Sequence, residues 1–73
     1  MVAVEPKEQL GRNLRRLRSD GGLTQMELSN RTGVDMAEIS RIERGLKDPR
    51  LSTIARLAAG LRVESAELVQ GIP

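Results

Sequence analysis

The sequence predicts a small all-α domain of five helices, and three observations carry that prediction. The chain has 73 residues, which suffice for a single core. Apolar residues recur at helical spacing, and no segment shows the strict alternation of a half-buried strand. Helix-capping residues precede the apolar segments, and glycines follow several of them. These features favour one compact five-helix domain without repeats or long linkers.

The first helix is predicted over residues 6–19. Pro6 suits the first position of a helix, because the N–H that proline lacks would have no partner there. Leu10, Leu14 and Leu17 recur at i, i+4 and i+7 and so form one apolar stripe. The helix ends where Asp20 is followed by two glycines.

The second helix is predicted over residues 25–32. Thr24 is followed three residues later by Glu27, which is the spacing of a capping box. Gly33 can supply the left-handed residue that ends the helix.

The third helix is predicted over residues 36–44, about three residues after the second. Asp35 and Glu38 repeat the capping pattern, and Gly45 closes the helix. We expect the Glu38 carboxylate to turn back toward the N-terminus of this helix.

Serines are predicted to cap the last two helices. Ser52 precedes an apolar segment that forms the fourth helix, and Ser65 precedes a brief fifth helix. Residues 46–51 form a loop. We therefore expect a short arm at 1–5, one domain over 6–70 and a tail at 71–73.

Composition excludes several classes of function. The chain has no Cys, His, Trp, Tyr or Phe, so disulfides, thiolate metal sites, histidine general bases and aromatic stacking platforms are absent. Its serines lack a histidine partner, so we expect no enzyme, no cofactor and no metal. No apolar run approaches the length of a signal or membrane segment. We expect a cytoplasmic protein without a membrane partner.

Positive charge is concentrated in arginine and near the start of the chain. The sequence has 12 Lys and Arg against 10 Asp and Glu. Arginine suits phosphate and guanine because its planar fork donates two parallel hydrogen bonds. A basic run over residues 7–18 is also typical of an ordinary solvated helix face, so composition leaves both interpretations open.

The third helix has a buried side and a presented side. On a wheel of about 100° per residue, Ile39 and Ile42 lie together. The opposite sector has short residues at its centre and arginines toward its C-terminal end, so its backbone can approach a surface closely. An ordinary surface helix remains the alternative. The sector contains Ala37, Ser40, Arg41 and Arg44.

Several spaced motifs resemble those of one family. They are LTQMEL at 23–28, GV at 33–34, ISRIERG at 39–45, Pro49, and Leu57 with Ala58. In order and distance they closely resemble the Cro and phage-repressor helix-turn-helix family, also called the XRE family, from about Leu10 to Leu68. The resemblance implies a lambda-repressor-like fold in which the second helix crosses the DNA backbone and the third is the recognition helix.

The resemblance also implies which residues contact DNA. The base-facing positions correspond to Met36, Ala37, Ser40 and Arg41. The phosphate-contacting positions correspond to Gln25, Arg44, Lys47 and Arg50. This sequence departs from the family at Met36, where glutamine is common, so the operator cannot be inferred by analogy.

Two further positions follow from the resemblance. Arg18 matches the position that pairs with the glutamate of the ISRIERG motif, so Arg18 and Glu43 are expected to form a structural pair. At Arg62 the family commonly has glycine. Either Arg62 adopts a left-handed conformation or the fourth helix ends earlier, at Gly60.

The function implied is that of a sequence-specific, double-stranded-DNA-binding transcriptional regulator, a repressor or an activator, that has no small-molecule ligand. A homodimer on a pseudo-palindromic operator is expected, because one recognition helix reads few base pairs and the C-terminal residues are apolar. RNA polymerase is a possible further partner. The alternative is an antitoxin or other protein-interaction module that neutralises a toxin partner and regulates its own operon. The expected dimer interface comprises Leu61, Val63, Leu68, Val69 and Ile72.

Overall fold

Five helices follow one another along the chain and are joined by short turns. The computed structural model describes residues 4–73 and has no strand among them. The prediction of an all-α, five-helix domain is confirmed; residues 1–3 of the expected N-terminal arm lie outside the described part. The helices are α1 (Pro6–Asp20), α2 (Gln25–Thr32), α3 (Met36–Glu43), α4 (Leu51–Leu61) and α5 (Ser65–Leu68).

All five helices contribute to one hydrophobic core. α1 packs against α3 and α5, α2 packs against α3 and α4, and α4 packs against α5. The leucine stripe predicted for α1 faces this core. Ile54, Leu61, Val63 and Ile72 pack at its margin. The buried apolar residues are Leu10, Leu14, Leu17, Leu23, Leu28, Val34, Ile39, Ile42, Leu57, Ala58 and Leu68.

α1 and α3 approach each other at Gly11. A Cβ atom placed there would collide with the carbonyl oxygen of Ile42 and lie 2.8 Å from that of Glu43. Both are backbone atoms, so a side chain would force the helices apart. The glycine thus sets the depth at which the C-terminal end of α3 sits against α1.

The ends of α4 and α5 differ from the prediction. Ser52 does not cap α4, since the helix begins at Leu51 and its N-cap is Arg50, without a side-chain cap bond. Ser65 is the first residue of α5 rather than its cap. A capping box forms one residue earlier, between Glu64 and Glu67.

Arg62 ends α4 in the left-handed conformation. Its φ is 59° and its ψ 42°, and its amide donates to the carbonyls of Ala58 and Ala59. Of the two alternatives that the sequence leaves open, the structure has the left-handed arginine. A side chain costs energy there because its Cβ crowds the backbone.

No helix within residues 4–73 has both the length and the apolar character needed to cross a bilayer.

Candidate nucleic-acid interface

α2 and α3 are joined by a turn of three residues, 33–35. Gly33 ends α2 with a left-handed φ of 74°, which glycine adopts without steric cost. The Thr32 hydroxyl accepts a hydrogen bond from the Val34 amide at 3.1 Å. The Val34 side chain is buried in the core. These contacts fix the orientation of α3 relative to α2.

A capping box closes the N-terminus of α2, as predicted. The Thr24 hydroxyl accepts from the Glu27 amide at 3.0 Å, and the Glu27 carboxylate accepts from the Thr24 amide at 2.9 Å. Two hydrogen bonds with Thr24 lower the pKa of Glu27 from its ordinary value. The bond with the Thr24 backbone has the larger effect, and the bond with the Thr24 side chain has the second largest. The amides of Gln25 and Met26 lie in the first turn, where N–H groups have no partner within the helix. That end of α2 can therefore receive an anion.

α3 presents its predicted base-contacting residues on its outer side. Ile39 and Ile42, on the other side, are completely buried. The short side chains at the centre of the outer face leave the helix backbone accessible. Of the four residues, Ser40 is half-buried, Met36 is 41% exposed, and Ala37 and Arg41 are exposed.

The N-terminus of α3 is capped by Asp35 alone. Its Oδ1 accepts from the Ala37 amide at 3.0 Å. The prediction that Glu38 completes a capping box is wrong, because α3 has only the Asp35 cap bond. Glu38 itself is half-buried. It lines a polar cleft of about 380 Å³ with Lys47, Asp48, Arg50 and Thr53.

One carboxylate ties α1, α2 and α3 together. Glu43 accepts two hydrogen bonds from Arg18, at 2.6 Å from Nε and 2.9 Å from Nη2. It accepts a third from Gln25 Nε2 at 3.1 Å, while Arg18 Nη1 donates to the Leu23 carbonyl at 2.8 Å. The hydrogen bond to Glu43 raises the pKa of Arg18. The two side chains expected to pair do meet, and the Gln25 contact is an addition that sequence spacing does not reveal.

The other predicted phosphate-contacting residues surround the C-terminal end of α3. Arg44 is exposed and its Nε donates to the Ser40 carbonyl at 3.4 Å. Lys47 and Arg50 are also exposed. Pro49 is buried between them and anchors the loop to the domain. The structure thus places cations on the surface beside the presented face of α3.

The C-terminal residues expected at a dimer interface differ in how far they are buried. Leu68 is completely buried in the core of the chain, so it has no surface to offer a partner and its assignment is corrected. Val69 is 39% exposed. Leu61, Val63 and Ile72 are half-buried.

Val69 and Ile72 line a surface groove of about 260 Å³. Pro6, Leu10 and Ile54 supply the rest of its apolar lining. Charged residues of both signs rim it: Glu5, Lys7 and Asp48.

Asn13 is a polar residue that the sequence arguments did not single out. Its side-chain amide is buried and donates to the carbonyls of Leu68 and Gln70, both at 2.8 Å. A signal was present, because on a helical wheel Asn13 lies about 40° from Leu17, within the apolar stripe.

Comparisons with known proteins agree on the kind of domain. The sequence profile of a family described as "Helix-turn-helix domain" matches residues 9–70. The chain is similar to y4dJ of Sinorhizobium fredii, an uncharacterized HTH-type transcriptional regulator, with 38% identity over 66 residues, 90% of this chain and 86% of y4dJ. It is also 42% identical over 57 residues to the HTH-type transcriptional repressor RghR of Bacillus subtilis. That match covers 77% of this chain but 42% of RghR.

A solved structure has the same fold. The restriction-modification controller protein C.AhdI from Aeromonas hydrophila superposes with a TM-score of 0.82 and 35% sequence identity. The match covers 85% of this chain and 94% of C.AhdI. These relatives are described as regulators rather than as enzymes.

Proposed function

The chain belongs to the XRE-type helix-turn-helix family of DNA-binding transcriptional regulators, and we propose that it binds an operator sequence-specifically as a homodimer. In this proposal the outer face of α3 enters the major groove and reads bases. The observation that carries the proposal is the make-up of that face: small residues at its centre, an arginine and a methionine beside them, and cations at its end.

Each residue on this face has chemistry that a base edge can use. Arg41 can donate two hydrogen bonds to O6 and N7 of guanine. Ser40 can donate or accept one. Ala37 and Met36 can contact a thymine methyl group, and the small Ala37 side chain allows close approach of the helix.

Phosphate contacts at the N-terminus of α2 and beyond the C-terminus of α3 would hold α3 in register in the groove. At the N-terminus of α2, the backbone amide of Gln25 supports a phosphate contact, because the side-chain Nε2 of Gln25 is already bonded to Glu43. At the other end Arg44, Lys47 and Arg50 supply positive charge. The hydrogen bond from Gln25 Nε2 to Glu43 joins the start of α2 to the C-terminal end of α3 and so limits the separation of these two regions.

The homodimer is supported by the apolar groove at the C-terminal end. A second copy is the occupant that its composition favours, because Val69 both lines the groove and remains exposed. In a two-fold contact the acidic rim residues of one copy can pair with the basic rim residue of the other, because the rim carries both signs of charge. Two recognition helices then lie about 34 Å apart and require a pseudo-palindromic site.

Selection of bound sequences from randomised duplexes tests the proposal. The wild type should enrich a motif with two-fold symmetry. Ala37→Glu places a carboxylate at the centre of the presented face and should abolish enrichment while the protein stays folded. The matched control is Ala59→Glu, which makes the same change at an exposed position of α4 and should enrich the wild-type motif. Recovery of that motif by Ala37→Glu with undiminished affinity would overturn the assignment of this face.

A further inference from the structure

Counted over the whole residue, backbone included, Asn13 is the one buried polar residue within residues 4–73. It is 4% exposed, and its carboxamide is satisfied at both ends. Oδ1 accepts from Gln9 Nε2 at 3.0 Å. The Nδ2 group has two hydrogens, and the two carbonyls that it contacts, those of Leu68 and Gln70, belong to the C-terminal end of the chain.

The segment held by Asn13 has little structure of its own. α5 has four residues, far too few for a stable helix in isolation. The carbonyls at the end of a helix have no helical partner, and the amide of Asn13 takes that place from a different helix. Within residues 4–73 no other side chain hydrogen-bonds to the carbonyls of residues 68–72. The side chain of Leu68 is completely buried in the core.

The position of this segment determines the shape of the apolar groove. Val69 lies between the two carbonyls that Asn13 holds, and Ile72 follows one turn later, with its amide bonded to the Val69 carbonyl at 3.1 Å. Both side chains form one wall of the groove. If the carbonyls were released, that wall would move while the other wall, on α1 and α4, stayed in place.

We propose that Asn13 is the positioning residue for the dimer surface: its carboxamide holds residues 68–70 against α1, so that Val69 and Ile72 match a second copy of the chain. This inference rests on the homodimer of the proposed function. Asn13 lies about 140° around α1 from Arg18, and none of its hydrogen bonds involves α2 or α3. Its effect on DNA binding is therefore exerted only through dimerisation.

The test compares two amide-to-carboxylate changes. Asn13→Asp keeps the shape of the side chain but removes both donors and sets a carboxylate against two carbonyl oxygens. Asn30→Asp makes the same change at an exposed position of α2 and leaves all the hydrogen bonds of Asn13 in place. Two constants are measured under conditions where each protein is folded: the dimer dissociation constant by sedimentation, and the affinity for a duplex that carries a single half-site.

Asn13→Asp should raise the dimer dissociation constant by about tenfold or more, since two hydrogen bonds are lost. Its half-site affinity should stay within about twofold of the wild type, and Asn30→Asp should leave the dimer dissociation constant unchanged. If Asn13→Asp does not fold, Asn13→Ser, which keeps one donor, should give an intermediate increase.

A folded Asn13→Asp or Asn13→Ser protein that melts earlier but dimerises like the wild type would overturn the inference and leave Asn13 a purely structural residue. An equal loss of half-site affinity would also overturn it. If the wild type itself sediments only as a monomer at high micromolar concentration, with and without DNA, the homodimer fails as well. The wild-type measurement thus separates failure of the proposed function from failure of the inference.

Discussion

Replacing Glu43 by alanine should destabilise the fold far more than it alters the DNA-reading surface. Glu43 accepts three hydrogen bonds, two from Arg18 and one from Gln25. The side chain of Glu43 is 4% exposed and that of Arg18 16% exposed. After the substitution, the guanidinium of Arg18 retains only its bond to the Leu23 carbonyl and carries an uncompensated charge in a mostly buried site.

The magnitude follows from the burial of the pair. Removing one partner of a buried ion pair costs about 3–5 kcal/mol. The lower end applies here, because the exposed part of Arg18 can still reach water. A loss of about 3 kcal/mol in a domain of this size lowers the melting temperature by roughly 12–24 °C.

A double-mutant cycle in urea measures the interaction directly. Glu43→Ala, Arg18→Ala and the double variant are unfolded, and the double variant should lose less stability than the two single variants added together. DNA affinity is compared at a temperature where each variant is folded, and Glu43→Ala should retain most of it. An unchanged melting temperature for Glu43→Ala would refute the argument and make Glu43 an ordinary surface residue.

Three further changes should have smaller effects, each measured by thermal or urea unfolding. Gly11→Ala should lower the free energy of unfolding by about 1–3 kcal/mol, because the new methyl group meets the Ile42 carbonyl; a stability equal to that of the wild type would disprove the close approach of α1 to α3. Arg62→Gly should raise the free energy of unfolding by about 1 kcal/mol, since glycine removes the left-handed strain, and a loss of stability would contradict the observed φ. The lowered pKa of Glu27 means that its bond to the Thr24 amide stabilises the fold above the ordinary carboxyl pKa of 4.5 and is lost as the pH falls through the lowered value. The difference in melting temperature between wild type and Glu27→Ala should therefore be smaller at pH 3 than at pH 7, and a constant difference would show that the capping box does not form.

The parts of the fold that local signals determine were predictable. The bounds of α2 match the prediction, because both ends depend on residues adjacent in sequence: the Thr24–Glu27 capping box and the left-handed Gly33. α1 and α3 differ from prediction by one residue at their C-terminal ends, where helix assignments commonly vary.

The start of α4 was not predictable from capping residues. Ser52 has a favourable side chain for an N-cap, yet the helix begins before it. The chain enters α4 from Pro49, which is buried, so tertiary packing sets the starting point. At α5 the capping box uses Glu64 in place of the usual serine or threonine, which is why the prediction fell one residue late.

For the candidate site, periodicity selects the presented face of α3, and the family resemblance supplies the individual residues. Contacts between residues that are far apart in the sequence could not be predicted. Gln25 and Glu43 are 18 positions apart and Asn13 and Leu68 are 55 apart, so neither contact has a local signal. Glu38 has the capping spacing, yet it lines the cleft beside Lys47, and the one side-chain cap bond at the start of α3 is that of Asp35.

Comparison of Arg41→Ala with Arg50→Ala tests the central claim, that the outer face of α3 reads bases while the flanking cations bind phosphates. Each variant is titrated against the selected operator and a scrambled duplex over a range of salt concentrations. Arg41→Ala should cost about 1–3 kcal/mol on the operator, relax the preference at one position and leave scrambled DNA nearly unaffected. Arg50→Ala should weaken binding to both duplexes alike and reduce the slope of log affinity against log salt by about one unit. If Arg41→Ala leaves the specificity at every position intact, α3 does not present this face to the groove.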